Sequence, residues 1–552
     1  MRVERCASAR TRGVFRPWIS VGLPLGLLVM LATTPAHAQL AMDLRGASAV
    51  SWSPLARIGD LPRNAPLLTP AAAQAFEPDP RIGLFWSGRN PAGLAWEAGT
   101  PWAELGASAA GTKGSYRRPL DPGASALRGL DAIAWKPIGT RTAMAGHVSF
   151  ADVTLAPGTF ATTLEPYASV PFTVTDSTRS DHSLSRVALE GAAGWRVGRF
   201  GIGASIGIDA TNGHSRTTGV PRTNQASRPA VVLGIARNIA GDAARVGLHG
   251  RWTRAAETAE VFSITSATVV TRLNGFAEPL LFTLPAGQSY YRRREADGRA
   301  AGLEAAGRTR GWDWAAHAEA GRLRERQWSQ RSADPPTDTW NARSINAGAE
   351  LKRELLDARA LLTVTARWER NTGTARLADE DSAVFRAVES VALFGGDLRW
   401  RAAGSPWGAR VEVTIAYDHR DRGDAAGTGL RTRLHGRTTR FAAEFTRELT
   451  DRVSVAGGLA RTAWDARGSA PKPIHYPRDI RPLAGGEAAF EATPSRSRAA
   501  TFAALLDATA STSFRLGFRA DRLGPRGSWI TYDLAPEGTR TEWGVEISAI
   551  LR

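Results

Sequence analysis

The sequence predicts an all-β chain folded as a transmembrane, antiparallel, up-and-down β-barrel of about 16–18 strands. It further predicts short periplasmic turns and long extracellular loops. Three observations carry this. Side chains alternate with period two in segment after segment, and short polar breaks alternate with long ones from end to end. Beyond the first forty residues, no run is apolar and long enough for a membrane helix.

The first element is a leader. Arg2, Arg5, Arg10, Arg12 and Arg16 precede a short apolar core from Ile19 to Thr34, and Ala36-His37-Ala38 offers a cleavage site. Residues 1–38 therefore read as a secretory signal peptide. Cys6 is the chain's one cysteine and lies ahead of the apolar core, so the exported part is expected to be free of thiols. That excludes a disulfide scaffold and any cysteine-based metal site. The whole chain of 552 residues carries 70 basic and 53 acidic residues, a formal charge of +17. Only Lys113, Lys136, Lys352 and Lys472 are lysines, so arginine dominates that charge.

Residues 39–101 are rich in Pro and Ala and show no clear period. They are expected to form a small plug, a periplasmic arm or a strand pair around 82–86, with a short lumen-inserted segment favoured. The barrel is expected over 102–552. In Val411–Arg420, Val411, Val413, Ile415 and Tyr417 share one face, while Arg410, Glu412, Thr414, Asp418 and Arg420 share the other. Only a strand puts residues i and i+2 on one face. Phe514–Asp521, Leu362–Glu369 and Gly201–Ala210 repeat the rule.

Short breaks fall at 137–140, 197–199, 240–243, 310–311, 356–357, 403–407, 449–452 and 509–511. Between them lie longer polar stretches, roughly 155–182, 214–227, 257–295, 327–343, 371–389, 421–433, 467–497 and 524–538. A soluble sandwich has no reason to put all its long loops at one end, whereas a membrane barrel has. Closing the sheet also removes the edges that a bilayer cannot tolerate. Trp135, Trp195, Trp252, Trp312, Trp400, Trp407, Trp464 and Trp543 sit near strand ends and are expected to form aromatic girdles.

From these residues the chain resembles the Gram-negative outer-membrane β-barrels, over about 102–552. Arg89-Asn90-Pro91-Ala92-Gly93-Leu94 is similar to an Asn-Pro-Ala-Gly stretch near the N-terminus of FadL-like transporters of long-chain fatty acids. It also resembles a stretch of several uncharacterised outer-membrane families. The resemblance implies a location in the cell outer membrane and insertion by the barrel assembly machinery. One departure is the C-terminus, Ile550-Leu551-Arg552, where such barrels usually end in an aromatic residue.

The lumen is the first candidate site. Inward positions are expected for Arg186, Arg196, Arg245, Arg251, Arg367, Arg399, Arg401, Arg410, Arg515 and Arg519. Glu190, Glu319, Glu369, Glu412 and Asp418 are expected among them as pore-lining acids. Such a face could line a charged, anion-favouring pore, or form a cross-strand salt-bridge ladder that stiffens the wall. The two are compatible.

The stretch 257–295 is the second candidate, built round the hairpin signal Asn274-Gly275. It would either fold inward or, as favoured, extend two barrel strands outside. Tyr290-Tyr291-Arg292-Arg293-Arg294 follows, an aromatic–basic cluster that would either hold lipopolysaccharide phosphates or an acidic ligand or, as favoured, form an exposed basic loop with no ligand. The loop 467–497 is stiffened by Pro471, Pro473 and Pro477.

No enzymatic activity is expected. His147, His249 and His317 point inward and His419 outward, while His182, His214, His435 and His475 lie near loops, and none has a spacing that forces a nucleophile–base pair. No catalytic residue, metal site or cofactor is expected. The expected partners are outer-membrane lipid and lipopolysaccharide, not nucleic acid. Neither the substrate nor the oligomeric state follows from the sequence. The leading expectation is a passive or weakly selective channel for small hydrophilic solutes. The alternatives are a FadL-like transporter of hydrophobic molecules and a surface-binding or structural barrel.

Overall fold

The computed structural model describes Leu84, residues 90–96 and residues 101–551. The last range is interrupted at 118–120, 162–171, 216–221, 240–242, 265–267, 275–276, 330–337, 357–358, 378–382, 402–403, 426–428, 470–485 and 527–536. All of these belong to the second of two units, residues 36–552. The leader reading, 1–38, and most of the segment 39–101 lie outside the described residues.

A 3₁₀ turn, Pro91–Trp96, precedes the strands. The strands are β1 (Trp102–Gly114), β2 (Ala124–Ile138), β3 (Thr142–Ala161), β4 (Phe172–Val197), β5 (Phe200–Ser215), β6 (Arg222–Ile239) and β7 (Ala244–Phe262). A hairpin of β8 (Thr268–Asn274) and β9 (Ala277–Leu284) interrupts them. Then come β10 (Ser289–Thr309), β11 (Trp312–Ser329), β12 (Asp338–Leu355), β13 (Ala360–Leu377), β14 (Ala383–Arg401), β15 (Trp407–Asp424), β16 (Arg431–Thr450) and β17 (Val453–Ser469). A short helix, α1 (Gly486–Ala492), precedes β18 (Ser495–Thr509), β19 (Thr512–Pro525) and β20 (Arg540–Leu551).

Every barrel strand pairs antiparallel with its neighbours, and β1 pairs with β20 from Ala103–Leu551 to Gly114–Arg540. With β7 joined directly to β10, the wall is a closed ring of 18 strands. Closure lets every wall strand share its backbone hydrogen bonds with two neighbours, as hydrocarbon demands.

The eight short connections fall where the sequence puts them. Among the two-residue turns is Arg310–Gly311, where both residues take positive φ (49° and 79°), the geometry of a hairpin whose twist matches its strands. The long connections are shorter than expected because the strands run on: β10 has 21 residues and β16 has 20. About 9–11 residues suffice to cross a bilayer. The extra length is polar on both faces, as in Asp421 on the outer face of β15 and Arg422 and Asp424 on the inner, which imitates loop composition in the sequence.

Outward residues are apolar and bare. Ile206 is 67% exposed, Leu303 61% and Leu459 70%, a surface that only lipid would cover. Trp195, Trp400, Trp407 and Trp543 join this outer face. Trp135 and Trp464 do not: both are buried on the inner face, so the girdle expected of them is corrected. A closed sheet with an apolar exterior and a charged interior is an outer-membrane barrel.

The hairpin at 257–295 forms at the expected turn, with Asn274 opposite Ala277. It is not an extension of two barrel strands, which corrects the favoured reading. β7 and β10 pair with each other, and β8 instead bonds to Phe172–Asp176 of β4. The Tyr290–Arg294 cluster is likewise no loop. It lies in β10, with Tyr290, Arg292 and Arg294 buried on the inner face.

Placing an arginine at outward Leu303, midway along the apolar part of β10, should destabilise the barrel by about 2–4 kcal/mol. Reversible unfolding of the Leu303→Arg variant in lipid vesicles measures this. A cost below about 1 kcal/mol would contradict a lipid-facing position.

Candidate functional site

The inner face holds three linked constructions. The first is the Pro91–Trp96 turn. Asn90 precedes it, Pro91 opens it, and the Asn90 side-chain oxygen accepts from the Ala92 N–H at 3.0 Å. That is the chemistry of a helix start: a capping amide followed by a residue with no N–H to satisfy. The Asn90 amide nitrogen donates to the Leu248 carbonyl (3.1 Å), the Ile235 carbonyl (3.4 Å) and Glu304 Oε2 (2.9 Å). These bonds fix the turn to β6, β7 and β10.

Glycines make room for it. A Cβ at Gly194 would sit 2.6 Å from the Pro91 carbonyl oxygen, and one at Gly203 would collide with the Pro91–Ala92 peptide. The turn therefore rests on bare backbone of β4 and β5. Leu94 packs with Trp135, Ala143 and Ala192, and Trp96 packs with Leu84, Ala236, Ala306 and Ala315. These contacts lie near the short-turn end of the barrel, beside the β4–β5 turn.

The second construction is a buried polar network that continues from Glu304. His249 on β7 places Nδ1 against Glu304 and Nε2 2.8 Å from Glu319 of β11. Arg251 meets Glu319 at 2.8 Å, and the Asn346 amide of β12 donates to it at 3.3 Å. Gly302 lies against the His249 ring and Gly348 against the His317 ring, so neither strand could carry a larger residue there unchanged. The N-terminal turn and five strands, β6, β7, β10, β11 and β12, thus share one set of hydrogen bonds.

The third sits toward the long-loop end. Glu491 of α1 receives hydrogen bonds from Arg420 and, at 3.2 Å, from Arg422 Nη1. Arg422 also donates to Glu389 at 2.7 Å. The Trp464 indole donates to the Glu491 carbonyl at 3.2 Å, and Phe490 packs on Tyr116 with ring centroids 5.0 Å apart. Burial pushes the Tyr116 phenol up to about 12, so it stays protonated beside Ser495. Of the loop expected at 467–497, residues 467–469 continue β17, residues 470–485 with Pro471, Pro473 and Pro477 lie outside the described residues, and α1 from 486 is anchored to inward side chains.

The residues expected to line the lumen lie on the inner face by strand alternation, and most are engaged. Arg186 pairs with Asp209 at 2.5 Å. Arg399 and Arg410 share Asp397 at 3.1 and 2.8 Å. Glu412 lies 3.4 Å from Arg440 and 3.7 Å from Arg410, and Asp418 lies 3.5 Å from Arg420. Arg515 bridges Glu104 and Glu546 at 2.5 and 3.1 Å, across the seam where the barrel closes. Arg519 meets Asp521 at 3.1 Å.

Glu369 accepts from Asn371 at 2.6 Å, and Arg245 stacks on the Trp96 ring. Arg196 donates to the Thr140 carbonyl at the rim, and Arg401 pairs with Glu448 there. Glu190 is exposed, opposite His147 in the register, and Arg367 stands opposite Gly348 on the inner face.

Sequence reasoning missed Asn90 as an anchor, and it missed Glu304, Asn346, Glu389, Arg422 and Glu491. For Glu304 the signal was present: it alternates with outward Leu303 in β10. For Glu491 there was none, since a helix inside a loop breaks no strand pattern. Three histidines read as near loops are in strands: His182 in β4, His214 in β5 and His435 in β16. His182 is buried 3.0 Å from Arg222, and outward His435 lies 3.2 Å from outward His419.

The family described as "Family of unknown function (DUF6850)" matches residues 91–456, and the chain belongs to that family. A search of curated proteins gave no match. Among solved structures, the chain is similar to the copper transporter OprC, at 11% identity over 82% of this chain and 80% of that one, with a TM-score of 0.37. It is similar to CdiB from Acinetobacter baumannii, at 9% identity over 82% of this chain and 60% of that one, TM-score 0.38. It is also similar to the ferric citrate transporter FecA, at 9% identity over 81% and 78%, TM-score 0.41. Likeness at this level shows neither cargo nor mechanism.

Because one amide makes three of the contacts that pin the turn, Asn90→Ala should raise amide hydrogen exchange across 91–96 by tenfold or more. Exchange in the strand centres should stay unchanged. Equal exchange in both proteins would mean that packing of Leu94 and Trp96 alone holds the turn.

Proposed function

We propose that this member of the family is an outer-membrane transport channel for small hydrophilic solutes, narrowed at both ends by chain folded into its lumen. The observation that supports it is the inner face. Its middle is built from Arg, Asp, Glu, His, Ser, Thr, Gly and Ala, with the charges paired across strands. A barrel of this size can hold water, and paired charges facing water escape the cost of dry burial. A hydrophobic cargo would want an apolar cavity instead, so the FadL-like reading has the less support.

The Pro91–Trp96 turn narrows the short-turn end, and α1 narrows the long-loop end. Selectivity then rests on the gaps these two leave and on the arginines around them. The salt-bridge ladder and the channel are one construction, because the ladder holds the wall open round its water.

Conductance of the refolded protein in planar bilayers tests this. Wild type should give small discrete steps. Glu491→Ala, which removes the acceptor shared by Arg420 and Arg422, should raise the step size severalfold by freeing α1. Silence from both, with folding verified by heat-modifiable mobility, would refute the channel.

A further inference from the structure

The outer face of the barrel carries arginines where strand pairing makes them repel. Arg299 of β10 lies directly opposite Arg322 of β11, which lies directly opposite Arg343 of β12. Arg461 of β17 lies opposite Arg498 of β18, which lies opposite Arg522 of β19. Directly opposed residues have Cα atoms about 4.5–5.5 Å apart, and like charges so placed destabilise a sheet. Two rows of three are therefore a cost that the protein alone does not offset.

Among the described residues, one of the six arginines reaches an acid. Among the described residues, Arg322, Arg343, Arg461, Arg498 and Arg522 form no ion pair, and Arg299 reaches only Asp297, at 3.4 Å while itself 80% exposed. The neighbourhood adds more positive charge: Arg496 faces Arg461, Arg498 and Arg526. Arg437 and Arg526 share one acid, Asp465, at 3.6 and 3.5 Å.

The height of the rows is as telling as their charge. On the outer face Leu459 and Ile345 stand next below Arg461 and Arg343, while Phe502, Phe518 and Leu303 stand two outward positions below Arg498, Arg522 and Arg299. On β19 the apolar outer strip runs from Thr512 at the short-turn end to Ala520. At ~3.3 Å per residue and a ~40° tilt this is roughly 23 Å of wall, close to the ~25 Å apolar band of such barrels. Arg522 is the next outward residue. The rows thus lie at the headgroup level on the long-loop side, which faces outward in this class of barrel.

We propose that the two arginine rows hold the phosphate groups of lipopolysaccharide lipid A in the outer leaflet. Each row offers guanidinium forks on adjacent strands, matched to phosphate oxygens. A bound phosphate converts the cross-strand repulsion into mutual attraction. The site is independent of whatever crosses the lumen. It also relocates the contact that the sequence suggested at Arg292–Arg294, where Arg292 and Arg294 face inward.

The test uses the full chain in neutral detergent. It is titrated with lipopolysaccharide, with lipopolysaccharide stripped of its lipid A phosphates, and with phosphatidylglycerol, and binding is read by native mass spectrometry and by Tm. Arg461→Gln/Arg498→Gln/Arg522→Gln and Arg299→Gln/Arg322→Gln/Arg343→Gln should each weaken lipopolysaccharide binding at least tenfold. Lipid-free Tm should not fall, since repulsion is removed. Lysine at the same three positions should retain part of the binding.

Wild type should lose the phosphate-stripped ligand to a similar degree, and phosphatidylglycerol should not displace intact lipopolysaccharide. Unchanged affinity in the glutamine variants would overturn the proposal, as would equal binding of the stripped ligand. Displacement by phosphatidylglycerol at equal concentration would overturn it too, showing a generic anionic surface. If a glutamine variant fails to fold, the lysine variant and the stripped ligand on wild type decide the matter.

Discussion

Backbone hydrogen bonding in hydrocarbon governs this molecule. An N–H or C=O left unpaired in lipid costs several kcal/mol, so the sheet must close, and it closes through β1 and β20. Closure fixes which face of every strand meets lipid and which meets the interior. From that follow the bare Leu303 and Leu459 outside and the Arg410–Asp397 and Arg515–Glu104 pairs inside. The Arg515 pairs are notable for their place, since they span the seam that no continuous chain holds.

The interior is organised around bonds that reach across several strands. Glu304 connects the Asn90 turn to His249, and His249 connects it onward to Glu319, Arg251 and Asn346. Glu491 does the same at the other end for Arg420 and Arg422. Both inserts enter a wall that is already satisfied in its backbone, so they are held by side chains and by glycine notches. Elements held that way can be released by single substitutions without opening the barrel, which suits a passage whose width is set separately from its wall.

Much of the fold was legible because strand alternation is a local signal. Val411–Arg420 shows its lipid face in the sequence itself, and Arg310–Gly311 marks its turn. Strand ends were less legible. Above the membrane both faces of a strand meet water, so Gln327–Ser329 and Asp338–Arg343 read as loop although they belong to β11 and β12. The misplaced Trp135 and Trp464 show a related limit: a tryptophan near a strand end is placed by parity, and parity needs the strand boundary. Within the candidate site, His249 and Arg420 were placed by alternation, and their partners Glu304 and Glu491 were not. Pairing is a matter of three-dimensional register, and Glu491 comes from a helix that no period announces.

The central claim is that the turn at 91–96 limits passage through the lumen. With Cys6 replaced, a Leu94→Cys/Ala192→Cys pair joins the turn to β4, where the two side chains share one packed cluster. Swelling rates of vesicles carrying this variant would be measured in a small sugar, oxidised and then reduced. The account predicts slow swelling when the turn is tied and faster swelling on reduction. Equal rates in the two states would contradict it.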